Sequence, residues 1–327
     1  MTTENVQGQF EHAAVQPEAL KSTDSTEKFV GLEQQASAVV TALVQGADDA
    51  GSKVNALGKM YKEFLDAYPG QKGTVDALVA DKANQLLQHP EIFGEATFWS
   101  TLGGQKNPFF REAVRLMRPK VDLLKASPEF LVKLTRNVRD VEGEKETAAM
   151  AAEVFKRLEN DATPQADRLR GGATYEVSMA AYKAKNYDKA IAVASDAAEY
   201  SRTGADLPGE LIAVSNIGGL FLLAKGPDFY ADAHAICAGA LQRAQAALEG
   251  EEFKDTPERK RLSRAAQNII RHIIDIAKHR GDAATMREQY ALLLQNEIIQ
   301  SEIHEEWVKK VFDDIDAYLE KHQTQVN

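Results

Sequence analysis

The sequence predicts an all-α chain, and three observations carry the prediction. Apolar residues recur at a helical period from about residue 27 onward, the spacing that turns one face of a helix toward a core. No window shows the β-branched alternation, bounded by turn residues, that marks a strand. The helix starts are also written out: Asn107-Pro108, Ser127-Pro128, Thr163-Pro164 and Thr256-Pro257 each set a capping side chain before a proline at the first helical position. The cap satisfies an orphan N–H, and the proline has none to lose.

Stops fall at Tyr68-Pro69-Gly70, Gly103-Gly104, Arg118-Pro119, Gly143, Gly226-Pro227 and Gly281. Starts and stops together predict roughly twelve helices of about 12–25 residues. Their connections are short, which makes sequential helices antiparallel neighbours. Residues 1–26 are rich in Gln, Glu, Thr and Ser and are expected to form a disordered or loosely docked arm. A helical region is expected over 27–126, and a helical repeat domain with a C-terminal helix over 127–327.

The chain has 327 residues and a formal net charge of -10, from 39 Lys+Arg against 49 Asp+Glu. That balance disfavours general nucleic-acid binding, since phosphate affinity comes mostly from Lys and Arg. The single cysteine, Cys237 in "HAICAGAL", excludes an intrachain disulfide and reads as a buried small hydrophobe. No uninterrupted apolar run approaches the ~18 residues of a membrane span. The N-terminus has neither a basic n-region nor an apolar h-region. These features predict a soluble, cytoplasmic protein.

The stretch "AYKAKNYDKAIAVASDAAEY" places alanine where a core would want leucine. Ala190, Ala194 and Ala197 lie at i, i+4 and i+7 and share one helical face, where a facing helix can approach closely. The preceding helix offers Val177, Ser178, Ala181 and Tyr182, and Tyr187 can cover the end of the pair. This large-into-small hairpin resembles the tetratricopeptide repeat. Ser178, Ala190 and Ala197 occupy the family's small positions, Tyr187 its corner aromatic and Val177 a usual aliphatic. Thr174 stands where tryptophan is common, and Ala194 where an aromatic is. "NIGGLFLLAKGPDFYADAHAICAGAL" repeats the order with extra residues at Gly226-Pro227-Asp228, and "HIIDIAKHRGDAATMREQYALLL" repeats it more weakly. Upstream, Ala148, Ala152 and Phe155 follow the Gly143 corner. The corner-following positions Ala148, Ala190, Ala233 and Met286 are 42, 43 and 53 residues apart, against about 34 for the family. The resemblance covers about residues 127–296 and implies a right-handed α-solenoid of antiparallel helical hairpins.

No phosphate-cradling glycine loop, zinc-protease helix or nucleophile elbow is present; "HEEW" at His304 begins like HExxH but continues with Val308. The chain is therefore expected to be non-enzymatic, with no cofactor and no resident metal. The most suggestive polar set is the stripe Arg271, His272, Asp275, Lys278 and His279. Three readings apply to it: a solvated helix face, a metal site from His272, Asp275 and His279 that lacks a fourth ligand, or a binding surface. The tetratricopeptide resemblance implies the third. Its groove positions would be Asn268, Arg271, His272, Asp275, Lys278 and His279 in the third copy. In the second they would be Ser215 and Asn216 beside Ile212, Leu222 and Leu223, and in the first Tyr175, Glu176, Met179, Tyr182 and Lys183. Such a groove suits an extended or helical peptide, with donors able to hold a carboxylate or backbone carbonyls. The lysine-and-asparagine clamp of the chaperone-binding version is represented only by Asn216, which disfavours chaperone tails.

Two further features stand out. Phe93, Phe98, Trp99, Phe109 and Phe110 form a dense aromatic cluster, read either as core or as a docking patch. "ERKRLSR" places Arg259, Lys260, Arg261 and Arg264 at a helix start, read either as a solvated face paired with Glu251, Glu252 and Glu258 or as a site for an acidic partner. The chain is thus expected to be an adaptor or scaffold binding a protein or peptide through Asn216, Asn268, Arg271, His272, Asp275, Lys278 and His279. The alternatives are a structural subunit of a larger assembly, such as a phage or secretion apparatus, and an enzyme with an all-helical pocket.

Overall fold

The computed structural model describes residues 23–86, 126–303 and 305–323, with a few positions between 88 and 123. The aromatic cluster Phe93–Phe110, the Asn107-Pro108 cap and the first 22 residues lie outside the described residues. The described residues are helical throughout, with no strand among them. They form two compact units, Met1–Leu124 and Lys125–Asn327.

The first unit contains α1 (Thr23–Val44), α2 (Ala50–Ala67) and α3 (Lys72–Leu86). Helix α1 starts at Thr23, inside the segment expected as a disordered arm: Ser25 is buried one turn before Phe29, and Asp24 pairs with Lys28 at 3.0 Å and accepts from the Tyr68 hydroxyl. Phe29 and Leu32 of α1, Leu57 and Phe64 of α2, and Val75 and Leu78 of α3 are all buried, and α1 packs on both α2 and α3. The Phe29 and Phe64 rings meet at 5.9 Å.

The second unit runs α4 (Pro128–Val141), α5 (Glu144–Arg157), α6 (Pro164–Lys183), α7 (Tyr187–Thr203), α8 (Leu207–Lys225), α9 (Tyr230–Glu249), α10 (Pro257–Arg280), α11 (Ala283–Gln295), α12 (Glu297–Ser301) and α13 (Glu306–Gln323). From α4 to α11 most helices pack on their chain neighbours, and α4 also touches α6, α6 touches α8 and α8 touches α10. The caps agree with the sequence at two helices: Ser127 Oγ accepts from Phe130 N–H and Thr163 Oγ1 from Ala166 N–H, both at 3.2 Å. At α10 they differ. Thr256 makes no cap bond; its hydroxyl donates instead to the Phe253 carbonyl at 2.8 Å, turned away by the preceding loop. An unpredicted cap, Asp206, serves α8 by accepting from Gly209 N–H at 3.1 Å.

Three corners of the second unit close alike. Asn186 N–H reaches Ala181 O, Asp206 N–H reaches Ser201 O and Asp282 N–H reaches Ala277 O, at 2.8–2.9 Å. The residue before each donor is left-handed: Lys185 at φ 61°, Ala205 at φ 53° and Gly281 at φ 74°. This closure feeds otherwise orphaned carbonyls at the end of each helix.

The small-residue stripe sits where close approach requires it. Ala190, Ala194 and Ala197 are fully buried, and Ser178 Oγ on α6 donates to Ala190 O on α7 at 2.7 Å. Helix α8 has no uninterrupted apolar run as long as a membrane span, yet it reaches the length and average apolarity of one. It is 19 residues long with a mean hydropathy of 1.6 over its most apolar window, enough by length and composition to cross a bilayer. Glu210 and Asn216 break its apolar run, while Leu211, Ile212, Val214 and the Leu220–Leu223 run keep the average high. In this fold it packs against α7, α9 and α10.

The basic run also differs from expectation. Arg259 pairs with Glu297 at 2.5 Å, Arg261 with Asp206 at 2.8 Å and Arg264 with Glu302. These acids are 38 to 55 positions away, so the cations hold α10 to α12 and to the α7–α8 corner rather than to the neighbouring glutamates.

Candidate functional site

Three helices converge on a cavity of about 290 Å³. Helix α6 contributes Met179 and Tyr182, α8 contributes Asn216, Gly219, Leu220, Leu222 and Leu223, and α10 contributes His272, Asp275, Ile276 and His279. On each helix these positions recur every three or four residues, the spacing of one face. Tyr182 and Leu223 are among the few large apolar side chains left exposed, at 39% and 48%.

A hydrogen-bonded chain crosses the three helices beneath this cavity. Asn216 Nδ2 donates to the Tyr175 hydroxyl at 2.9 Å. That bond aims Asn216 Oδ1 at His272, whose Nε2 lies 3.2 Å away and donates to it as Nε2–H. Burial holds the His272 imidazole below its ordinary pKa, with Asp275 raising it and Arg271 lowering it further. Burial likewise pushes the Tyr175 phenol up. Both groups are therefore neutral, and a neutral chain of fixed donors and acceptors avoids the cost of an unpaired buried charge.

Further along the same side, Arg139 of α4 bonds Glu176 of α6 and its neighbour Asp140, and Asp140 also takes Lys183. Burial keeps the Glu176 carboxyl above its ordinary value despite the adjacent guanidinium. Of the first-copy groove positions, Glu176 and Lys183 are thus engaged with α4 and Tyr175 with α8, leaving Met179 and Tyr182 to face the cavity.

Glycine makes the site possible. Gly218 and Gly219 sit back to back in α8. A β-carbon on Gly218 would stand 2.4 Å from Cys237 Sγ of α9, and one on Gly219 would stand 2.7 Å from His272 Nδ1 of α10. Neither side of α8 has room for a methyl group at this level. Cys237 itself is buried, its thiol pushed up to about 12 by desolvation and directed at the Ser215 carbonyl at 3.7 Å.

The structure divides the stripe that the sequence marks on α10. His272, Asp275 and His279 join Asn216 at the cavity, as their shared face requires. Arg271 and Lys278 instead line a smaller cavity of about 110 Å³ with Asp275, Met286 of α11 and Val311, Asp314 and Ile315 of α13. The Lys278 ammonium lies 5.6 Å from the Tyr318 ring centre, and Tyr318 donates to the Lys278 carbonyl at 3.0 Å. A five-residue stripe on a 24-residue helix spans more arc than one neighbour covers, so its two edges meet different partners. Asn268 lies one turn before His272, half-buried and on neither cavity. Ser215 is fully buried, its hydroxyl bonded to Ile212 O within α8, which removes it from the groove positions. The sequence reading did not pick out Gly219, Leu220 or Ile276; a Gly-Gly pair inside a helix, each costing about 1 kcal/mol relative to alanine, was the available signal.

Among the described residues no group of three or more His, Cys, Asp or Glu side chains is arranged to hold a metal ion. Comparison with protein families, with curated proteins and with solved structures finds no match for this chain.

Proposed function

We propose that the Lys125–Asn327 unit is a stack of helical hairpins similar to a tetratricopeptide-repeat solenoid, and that it works as a non-enzymatic adaptor whose α6–α8–α10 cavity receives a segment of a protein partner. The pattern of contacts supports the stack: the first helices of successive pairs touch one another while each second helix packs between them. A side on which alternate helices meet is the inner side of a curved array.

One observation carries the binding reading. Tyr182 and Leu223 project, half-exposed, from facing helices into one cavity, and a bonded Tyr175–Asn216–His272 chain underlies it. Exposed apolar anchors around a few oriented polar groups are the composition of recognition pockets rather than of solvated surface. The test selects random twelve-residue peptides displayed on phage against the full chain, then measures the enriched peptides against a Tyr182→Ala/Leu223→Ser variant shown by circular dichroism to be folded. Loss of at least about tenfold in affinity for most of them is the expected result. Unchanged affinity, or no enrichment, overturns the reading.

A further inference from the structure

We infer that the occupant of this cavity carries an apolar side chain beside a cationic one, so that the partner segment is basic and amphipathic rather than an acidic tail. The inference rests on the adaptor reading and specifies its ligand. The sequence alone suggests the reverse, because the α10 stripe contains Arg271, Lys278 and two histidines, all able to donate to a carboxylate. The folded arrangement redistributes those charges. Arg271 and Lys278 face the α13 side of the helix, where the Tyr318 ring covers the Lys278 ammonium. Nearby cations on the other two helices are also engaged: Lys183 with Asp140, and Lys225 with Asp188 at 2.6 Å. His272 is occupied in its bond to Asn216 at 3.2 Å.

Asp275 is then the one carboxylate or ammonium group on the cavity lining, on the border it shares with the smaller cavity of Arg271 and Lys278; it makes no ion pair among the described residues, and the other exposed ring on the lining, His279, stacks on Tyr230. It stands at the edge of a surface formed by Met179, Tyr182, Leu222, Leu223 and Ile276. A carboxylate at an apolar rim, with the Tyr182 ring on the facing helix, is complementary to an ammonium or guanidinium, which gains both the ion pair and the ring face. At about 290 Å³ the cavity sits near the lower end of ligand-pocket volumes, a size suited to one anchoring side chain with its neighbours lying along the rim. The long aliphatic stem of Lys or Arg can cover the exposed Leu223 while its head reaches Asp275.

The test uses the full chain and three pools of fluorescein-labelled peptides. Each pool has a central Leu or Phe, neutral random positions elsewhere, and either Lys/Arg, Ser or Asp/Glu on both sides of the anchor. Anisotropy titration should show the cationic pool binding at least about tenfold more tightly than the acidic pool. Asp275→Asn should collapse that ratio while leaving the serine pool unchanged, and Asp275→Glu should keep the preference. Arg271→Ala with Lys278→Ala should not reverse it. Equal or tighter binding of the acidic pool overturns the charge assignment and leaves the adaptor reading standing. Binding by none of the pools overturns both. Self-association of the parent chain that Leu223→Ser abolishes would place a second copy in the cavity and overturn the peptide assignment.

Discussion

Gly219 of α8 lies against the imidazole of His272 of α10 so closely that a β-carbon there would stand 2.7 Å from Nδ1 and 3.0 Å from Cε1. The contact sets the separation of the two helices at the level of the cavity, and Gly218 does the same toward α9.

Alanine at these positions gains helix propensity and loses fit. Gly219→Ala and Gly218→Ala should each destabilise by roughly 1–3 kcal/mol from overpacking, less about 1 kcal/mol of propensity gain. Gly239, on the exposed side of α9 in the same unit, has nothing within 4 Å of its would-be β-carbon, so Gly239→Ala should stabilise by about 0.5–1 kcal/mol. Urea denaturation of the three variants checks the contrast. Stabilisation by Gly219→Ala would show that α8 and α10 are not in contact there.

Ala190 and Lys189 are adjacent in sequence and opposite in environment. Ala190 is fully buried with its carbonyl bonded to Ser178, so Ala190→Leu should cost roughly 1–3 kcal/mol. Lys189 is exposed and pairs with Glu144 at 2.5 Å, a surface bond worth at most about 1 kcal/mol, so Lys189→Leu should be near neutral. Equal denaturation midpoints would remove the α6–α7 contact from the fold.

The helix caps separate a threonine that looks like a cap from an aspartate that is one. Asp206 accepts from Gly209 N–H and pairs with Arg261, and Asp206→Ala should cost about 1–2 kcal/mol. Thr256→Ala loses only the hydroxyl bond to Phe253 O and should cost less than about 1 kcal/mol. Thermal unfolding of both variants ranks them, and a larger loss for Thr256 would contradict the observed cap geometry.

His272 predicts a pH dependence with a definite sign. Its folded pKa is lowered by burial, so below its ordinary value of about 6.5 the unfolded chain binds a proton that the folded chain refuses. The stability contributed by the neutral ring is complete above that pH and is lost as the pH falls toward the folded value. Asp275 and Arg271 face the ring with opposite influence and leave the direction unchanged. The melting temperature should fall between pH 7 and pH 5, and His272→Gln, which keeps an amide donor for Asn216 without titrating, should flatten that part of the curve. An identical slope in the variant would show that the ring is not held neutral by the fold.

The sequence by itself determined the helical class, most of the helix limits and the shared face of His272, Asp275 and His279. These follow from local rules: a 3.6-residue period, a capping side chain three positions before its N–H, and a glycine at a left-handed corner. The Lys185 and Ala205 corners adopt the same left-handed turn without glycine, and their closure was legible only as polar or short interruptions.

Only the tertiary structure decided which side of each helix meets which neighbour. Asn216 reaches Tyr175 and His272 across 41 and 56 residues, and Arg261 reaches Asp206 across 55. No periodicity encodes those pairings, because a helix of given amphipathicity can rotate by one ridge and still bury an apolar face. The rotation is set by where backbones can approach, and here the Gly218-Gly219 pair admits Cys237 on one side and His272 on the other. That choice turned Arg271 and Lys278 toward α13 and left Asp275 on the border of both cavities.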